Sequence, residues 1–306
     1  MKESVLEAIG NTPLVPLRRL LEPGMARIFL KLESCNPTGS HKDRMALALI
    51  EQAEVRGDLR PGMTVLECTG GSTGSSLAFV CAAKGYPFQV ISSDAYAREK
   101  LDTMRAFGAE LLIEPSLGGQ ITPDLWPRML ARAEELRKDP KFYYTDQFRN
   151  RDALVGYQAL GRELLEANPD AFCAAVGTAG VLMGVGSVLR QHNPQVHLCA
   201  LEPSSSAVLS GQPAGPHTID GTAAGFIPPL YSAALVDQVM ALDEELARAT
   251  VRSLARQEGL FVGTSTGLNV AAALQLARQL GPHKTVVTLA CDTGLKYLSG
   301  DLFGSE

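Results

Sequence analysis

No block of lysine or arginine interrupts this 306-residue sequence, whose 28 Lys+Arg stand against 33 Asp+Glu. That balance argues against a nucleic-acid groove or a polybasic membrane surface and in favour of small-molecule chemistry. The six cysteines (Cys35, Cys68, Cys81, Cys173, Cys199, Cys291) form no CxxC pair and no Cys/His ligand spacing. With no zinc or redox motif, and with several of them inside apolar runs, they are expected to be mostly buried free thiols, and no metal is expected. No apolar run approaches the roughly 20 residues of a membrane-spanning helix, and no long apolar segment follows the opening MKESVLEAIG. A soluble, cytoplasmic protein without membrane or nucleic-acid partners is the expectation. Internal repeats and low-complexity segments are likewise absent.

What is there is alternation. Extended apolar runs (ARIFLKLE, TVLECT, FQVISS, ELLIEP, FYYTD, CAAVG, VHLCALEP, KTVVTLAC) alternate with helical ones such as SSLAFVCAAKG and REKLDTMRAFG. Parallel strands joined by helical crossovers give this pattern, so the fold class is α/β. The length suits two lobes, and the weakest boundary falls near residue 146, where four short β/α units end. Open sheets of this kind bind ligands at the carboxyl ends of their strands. The turns that follow strands are therefore the places to look for chemistry. The Pro-, Ser- and Gly-rich stretch 203–229 reads as a functional loop rather than a linker.

Three such turns stand out. ECTGGSTGSSLAF passes from a strand through Thr69, Gly70, Gly71, Ser72 and Thr73 into a helix, and AAVGTAGVLMGVG does the same through Gly177, Thr178, Ala179, Gly180 and Val181. Backbone N–H groups at such a helix start can hold a phosphate or a carboxylate; a tight turn without a ligand is the alternative. Neither has the lysine of a P-loop or the GxGxxG spacing of a dinucleotide site. The third turn, VTLACDTGLKYLS, offers Asp292 and Thr293, where Asp292 reads more readily as a helix cap than as a catalytic group. To these NPTGSHKDRMALALIEQAE adds Lys42 between a Pro/Gly turn and an apolar helical run. That lysine is either a solvated helix-start residue or an amine held for covalent chemistry.

Together these segments closely resemble the cysteine synthase family of pyridoxal-phosphate enzymes, whose fold also serves cystathionine β-synthase and the serine/threonine dehydratases. The resemblance runs in the family's order through IGNTPLV (9–15), NPTGSHKDR (36–44), TGGSTGSSLA (69–78), GTAGVLMGVG (177–186), the 201–228 loop, EGLFVGTSTG (258–267) and DTGLKYLS (292–299). It implies the tryptophan synthase β-subunit-like architecture of fold type II: two open, mostly parallel sheets flanked by helices. The implied division is a smaller α/β domain over 40–146 and a larger cofactor-binding domain over 1–39 and 147–306.

Carried over residue by residue, the resemblance makes Lys42 the Schiff-base lysine and catalytic base. It makes 177–181 the loop for the cofactor phosphate and Thr293 the hydroxyl beside the pyridine nitrogen. Thr69, Gly70, Gly71 and Thr73 match the loop for the substrate α-carboxylate, Gln147 matches a glutamine that assists there, and Gly225 lies in a loop near bound substrate. The implied reaction is β-replacement on an activated L-serine, O-acetylserine or O-phosphoserine, through an α-aminoacrylate that sulfide converts to L-cysteine. Cystathionine β-synthase chemistry, diaminopropionate synthesis and β-elimination share its first half. A non-catalytic relative that binds serine acetyltransferase is a further alternative, and a homodimer is the implied assembly.

Two departures matter. The family usually reads TSGNT where this sequence reads TGGST, so Ser72 replaces an asparagine that resembles a ligand of the cofactor's 3′-oxygen. Ala179 and Val181 stand where Gly and Thr are commoner, which removes one hydroxyl donor but no backbone donor. His41, Tyr143, Tyr144 and Phe148 read as structural, and Arg149 and Arg151 as solvated surface.

Overall fold

Parallel strands covered on both faces read as near-continuous apolar runs, and 171–175 and, but for Thr285 and Thr288, 285–290 fit that pattern. The computed structural model describes residues 2–120 and 124–304. Its strands are β1 (Leu14–Pro16), β2 (Arg27–Leu32), β3 (Thr64–Cys68), β4 (Phe88–Ser93), β5 (Glu110–Glu114), β6 (Phe142–Tyr144), β7 (Ala171–Ala175), β8 (His197–Pro203), β9 (Gln238–Leu242) and β10 (Thr285–Ala290). Between them lie helices α1 (Lys42–Arg56), α2 (Ser72–Lys84), α3 (Arg98–Ala106), α4 (Leu125–Leu136), α5 (Ala153–Leu164), α6 (Gly180–His192), α7 (Glu244–Ser253) and α8 (Thr264–Leu280).

The chain divides into two compact units, Met1–Ile9 with Lys42–Ala153, and Gly10–His41 with Leu154–Glu306. The first holds a four-stranded sheet in the order β5-β4-β3-β6, parallel throughout. The second holds a six-stranded sheet in the order β1-β2-β10-β7-β8-β9, parallel except for the antiparallel β1–β2 pair. The eight strands expected from the sequence all form. The two unexpected ones, β1 and β9, are edge strands that stay mostly half-exposed. β1 is three residues long and ends on Pro16, which only an edge tolerates.

In the first unit, α1 and α2 pack Ala46, Ile50, Ala53, Leu77 and Val80 against Val65 and Val90. A second cluster unites Leu66 and Ile91 with Leu125, Met129 and Ala133 of α4. Each fully buried Leu or Ile contributes about 1.5–3 kcal/mol, so these stripes hold the sheet between its helices. β6 stops at Tyr144 because Asp146 takes a left-handed φ of 47° and turns the chain away.

In the second unit α8 is buried along most of its length, and Asn269 sits in its middle with no exposed surface. Its Oδ1 accepts from the Ala175 N–H at 2.8 Å and its Nδ2 donates to the Leu289 carbonyl at 3.0 Å. One side chain thus joins β7 and β10 at their carboxyl ends. Nearby, α6 approaches α5 closely through glycine: a Cβ at Gly184 would lie 2.5 Å from Tyr157 Cβ.

All six cysteines are free, and all but Cys35 are buried. Burial pushes the Cys81 and Cys173 thiols up to about 12, so they fill space rather than react. Among the described residues, no helix is long and apolar enough to cross a membrane, and no group of His, Cys, Asp or Glu could hold a metal.

Candidate active site

The first unit carries Lys42 and the loop 69–73. Lys42 is the first residue of α1 and is half-buried, with Asp43 and Arg44 buried behind it. The loop lies at the carboxyl end of β3 and runs straight into α2, whose cap residue Gly71 makes no side-chain capping bond. The residues at this helix start are small, as close approach of an anion to the backbone requires. The Thr69 hydroxyl accepts from Gly71 N–H at 3.2 Å, and the Thr73 hydroxyl donates to Gln147 Oε1 at 2.7 Å. Gln147 Nε2 in turn lies 3.4 Å from the Cys68 carbonyl. Thr69, Gly70, Gly71, Thr73 and Gln147 are thus brought together, and Ser72 begins α2 beside them.

Two residues of this unit were not anticipated. Glu67, next to last in β3, is fully buried and accepts from Gln147 N–H. Tyr96, after β4, lies so close over Gly70 that a Cβ there would fall inside its ring. The glycine that replaces the family's serine is therefore matched by an aromatic side chain 26 positions later. Gly70→Ser is expected to cost about 2 kcal/mol through overpacking. In the Tyr96→Ala background that cost should fall by at least about 1 kcal/mol. Urea unfolding of the four proteins of the cycle measures it, and strict additivity would remove the coupling.

The second unit carries the loop 177–181 at the carboxyl end of β7. A Cβ on Gly177 would collide with the Gly221 carbonyl oxygen, so only glycine fits. Ala179 caps α6 in the left-handed region at φ 67° and makes no side-chain capping bond. The Thr178 hydroxyl lies 3.4 Å from Gly180 N–H. The result is a helix N-terminus lined by small residues, with the helix dipole and no cationic side chain in the loop as its source of positive potential.

Beside β10 the sequence left Asp292 and Thr293 undecided. Asp292 caps no helix; its Oδ2 accepts from Tyr297 Oη at 3.0 Å. Thr293 is the capping residue, accepting from Leu295 N–H and starting a short 3-10 turn over Gly294–Tyr297. Burial, then the Asp292 carboxylate, pushes the Tyr297 hydroxyl well above its ordinary value, so it stays a donor. The turn that precedes Lys42 is tied to this strand end. His41 N–H donates to the Cys291 carbonyl at 3.0 Å, Thr293 N–H donates to the Gly39 carbonyl at 3.0 Å, and Gly39 holds φ 72°. His41 Nδ1 lies 3.0 Å from Tyr157 Oη, a structural partner. Gly225 stands apart, exposed in the long loop at φ 84°. Arg149 and Arg151 are exposed.

The α/β architecture with two mostly parallel sheets, and glycine-rich turns at strand carboxyl ends, defines the class of fold-type II pyridoxal-phosphate enzymes. The chain belongs to the pyridoxal-phosphate dependent enzyme family, whose model matches residues 5–292. It is 39% identical to a cysteine synthase of Staphylococcus aureus over 99% of this chain and 98% of that one. The structure superposes on O-acetyl serine sulfhydrylase isoform 3 of Entamoeba histolytica with a TM-score of 0.94 and 35% identity, covering 100% of this chain and 92% of the other. It superposes on the O-acetylserine dependent cystathionine β-synthase of Helicobacter pylori with a TM-score of 0.92 and 30% identity, covering 99% of both. The enzyme is accordingly pyridoxal-phosphate dependent. The residues present fit that cofactor: the 177–181 cradle excludes any side chain at Gly177 and offers backbone donors suited to a phosphate.

Proposed function

We propose that the enzyme catalyses β-replacement on an activated L-serine, O-acetylserine or O-phosphoserine, with sulfide as the nucleophile and L-cysteine as the product. When bound, pyridoxal phosphate supplies an electron sink for the charge left at the substrate Cα. In this reading the 177–181 backbone would carry the cofactor's phosphate and the Thr293 hydroxyl would donate to its ring nitrogen. Ser72 takes the place of the family's asparagine beside the ring. The substrate α-carboxylate would accept from the loop 69–73, where Gln147 orients Thr73. The Lys42 amine would anchor the cofactor and serve as the base that removes and returns the α-proton. Gly225 gives the long loop its turn near the substrate.

The observation that carries the reading is the pair Asp292–Thr293. Asp292 accepts from Tyr297, and Thr293 caps the turn with its hydroxyl proton still available to donate. A hydroxyl, unlike a carboxylate, gives the ring nitrogen little reason to stay protonated. Prompt departure of a β-substituent then suits the site better than a long-lived carbanion. The reading extends to a homodimer in the cytoplasm, with serine acetyltransferase as a protein partner.

A panel of donors and acceptors tests it. Sulfide consumption with O-acetylserine or O-phosphoserine is expected to exceed that with L-serine by at least about tenfold, the worth of one well-placed leaving-group contact. Equal inertness of both activated donors towards sulfide would refute it.

A further inference from the structure

Glu67 is 1% exposed, and no lysine, arginine or histidine pairs with it among the described residues. Three neutral donors meet its carboxyl instead. Cys68 N–H reaches Oε1 at 2.7 Å, and the Thr145 hydroxyl and Gln147 N–H reach Oε2 at 2.6 and 3.1 Å. The titratable groups that face it add no positive charge: Asp146 from the turn after β6, Tyr144 from β6 and Cys68 from β3 itself. Burial outweighs the three donors and pushes the Glu67 carboxyl up to about 7.

The surroundings accept either form of this group. The Thr145 hydroxyl oxygen lies 2.6 Å from Glu67 Oε2 and 3.2 Å from the Leu66 carbonyl. When Glu67 is ionised the hydroxyl donates to it. When Glu67 carries a proton, the hydroxyl turns its own hydrogen to Leu66 and accepts from the acid. No heavy atom has to move. From Glu67 the bonds continue through Gln147 to the Thr73 hydroxyl, so the loop 69–73 is built directly on this carboxyl.

We propose that Glu67 compensates the charge of the incoming substrate, taking up one proton from solvent when a carboxylate docks on the loop 69–73. The inference rests on the reading of that loop as the carboxylate site. Glu67 is a positioning residue, acting through Gln147 and Thr73 and through its own charge.

The sign follows from linkage. A docked anion raises the Glu67 pKa above its free value of about 7. Affinity for a carboxylate is therefore highest below about 7, falls by up to about tenfold per pH unit above it, and levels off beyond the bound-state value.

Propionate, which has a carboxylate but no amine, is the probe. Calorimetric titration of the holoenzyme just above neutrality, in buffers of different ionisation enthalpy, is expected to show uptake of roughly 0.3–0.8 proton per site. In Glu67→Gln the uptake should vanish and the affinity should become flat through neutral pH. Propionate binding without proton uptake, or equal uptake in the variant, overturns the inference and leaves the loop reading standing. Failure of propionate to bind withdraws the loop reading, and this inference with it. Should the variant not fold, infrared difference spectra of the wild type with isotope-labelled glutamate decide the matter. Addition of propionate should produce a protonated-carboxyl band that shifts with the label, and its absence overturns the inference.

Discussion

Lys42→Ala is expected to lower turnover by roughly 10³-fold or more while leaving the fold in place. The same change should abolish the visible absorption of lysine-bound cofactor. The lysine is the first residue of α1, where alanine is an equally good or better helix former, so little structural cost attaches to the change. A cation at this end of a helix is disfavoured by about 0.3–1 kcal/mol, and an amine engaged in covalent chemistry escapes that penalty. Lys42→Arg keeps the charge but offers no amine for an imine, and should be equally inactive and colourless. Absorbance and steady-state rates of the purified variants check both points. Turnover within tenfold of wild type, or a retained visible band, would take Lys42 out of its proposed role.

Asn269→Ala should destabilise the second unit by about 3 kcal/mol, because it strands two buried backbone groups at once. The Ala175 N–H loses its acceptor and the Leu289 carbonyl loses a donor, at the ends of the strands that lead into the 177–181 cradle and the Asp292–Thr293 turn. Cofactor retention on dialysis should therefore weaken in parallel with the urea midpoint. Asn269→Asp, assayed well above neutral pH, offers a control of the same shape: while ionised it can accept from Ala175 but has no proton for Leu289. It should fall as far as alanine or further, since a buried carboxyl gains no cation there. A loss below about 1 kcal/mol for the alanine variant would show that water or a backbone shift replaces both bonds.

Much of the catalytic vocabulary could be read in one dimension. The residues 177–181 announce a turn because a strand pattern passes through small residues into a helix pattern, and the structure adds that Gly177 has no room for a side chain and that Ala179 turns left-handed. The α/β class was equally legible, since a continuous apolar strand followed by a helical stripe is a local signal. Edge strands were not, because β1 and β9 bury too little to carry one. The choice between Asp292 and Thr293 could not be made either. The two are adjacent, and the bonds that separate them reach Tyr297 on one side and Leu295 on the other.

By itself the sequence determined the class of fold, the order of the glycine turns and the lysine at the head of α1, because each depends on residues within one turn or one strand. Only the tertiary structure decided what supports them. Glu67 meets Thr145 from 78 positions away, Asn269 meets Ala175 from 94, and Tyr96 closes over Gly70 where no side chain could stand. Each of these residues, taken alone in its segment, reads as an ordinary strand, helix or loop residue. Its role comes from a partner brought up by parallel strand crossovers, and no local pattern in the chain encodes that meeting.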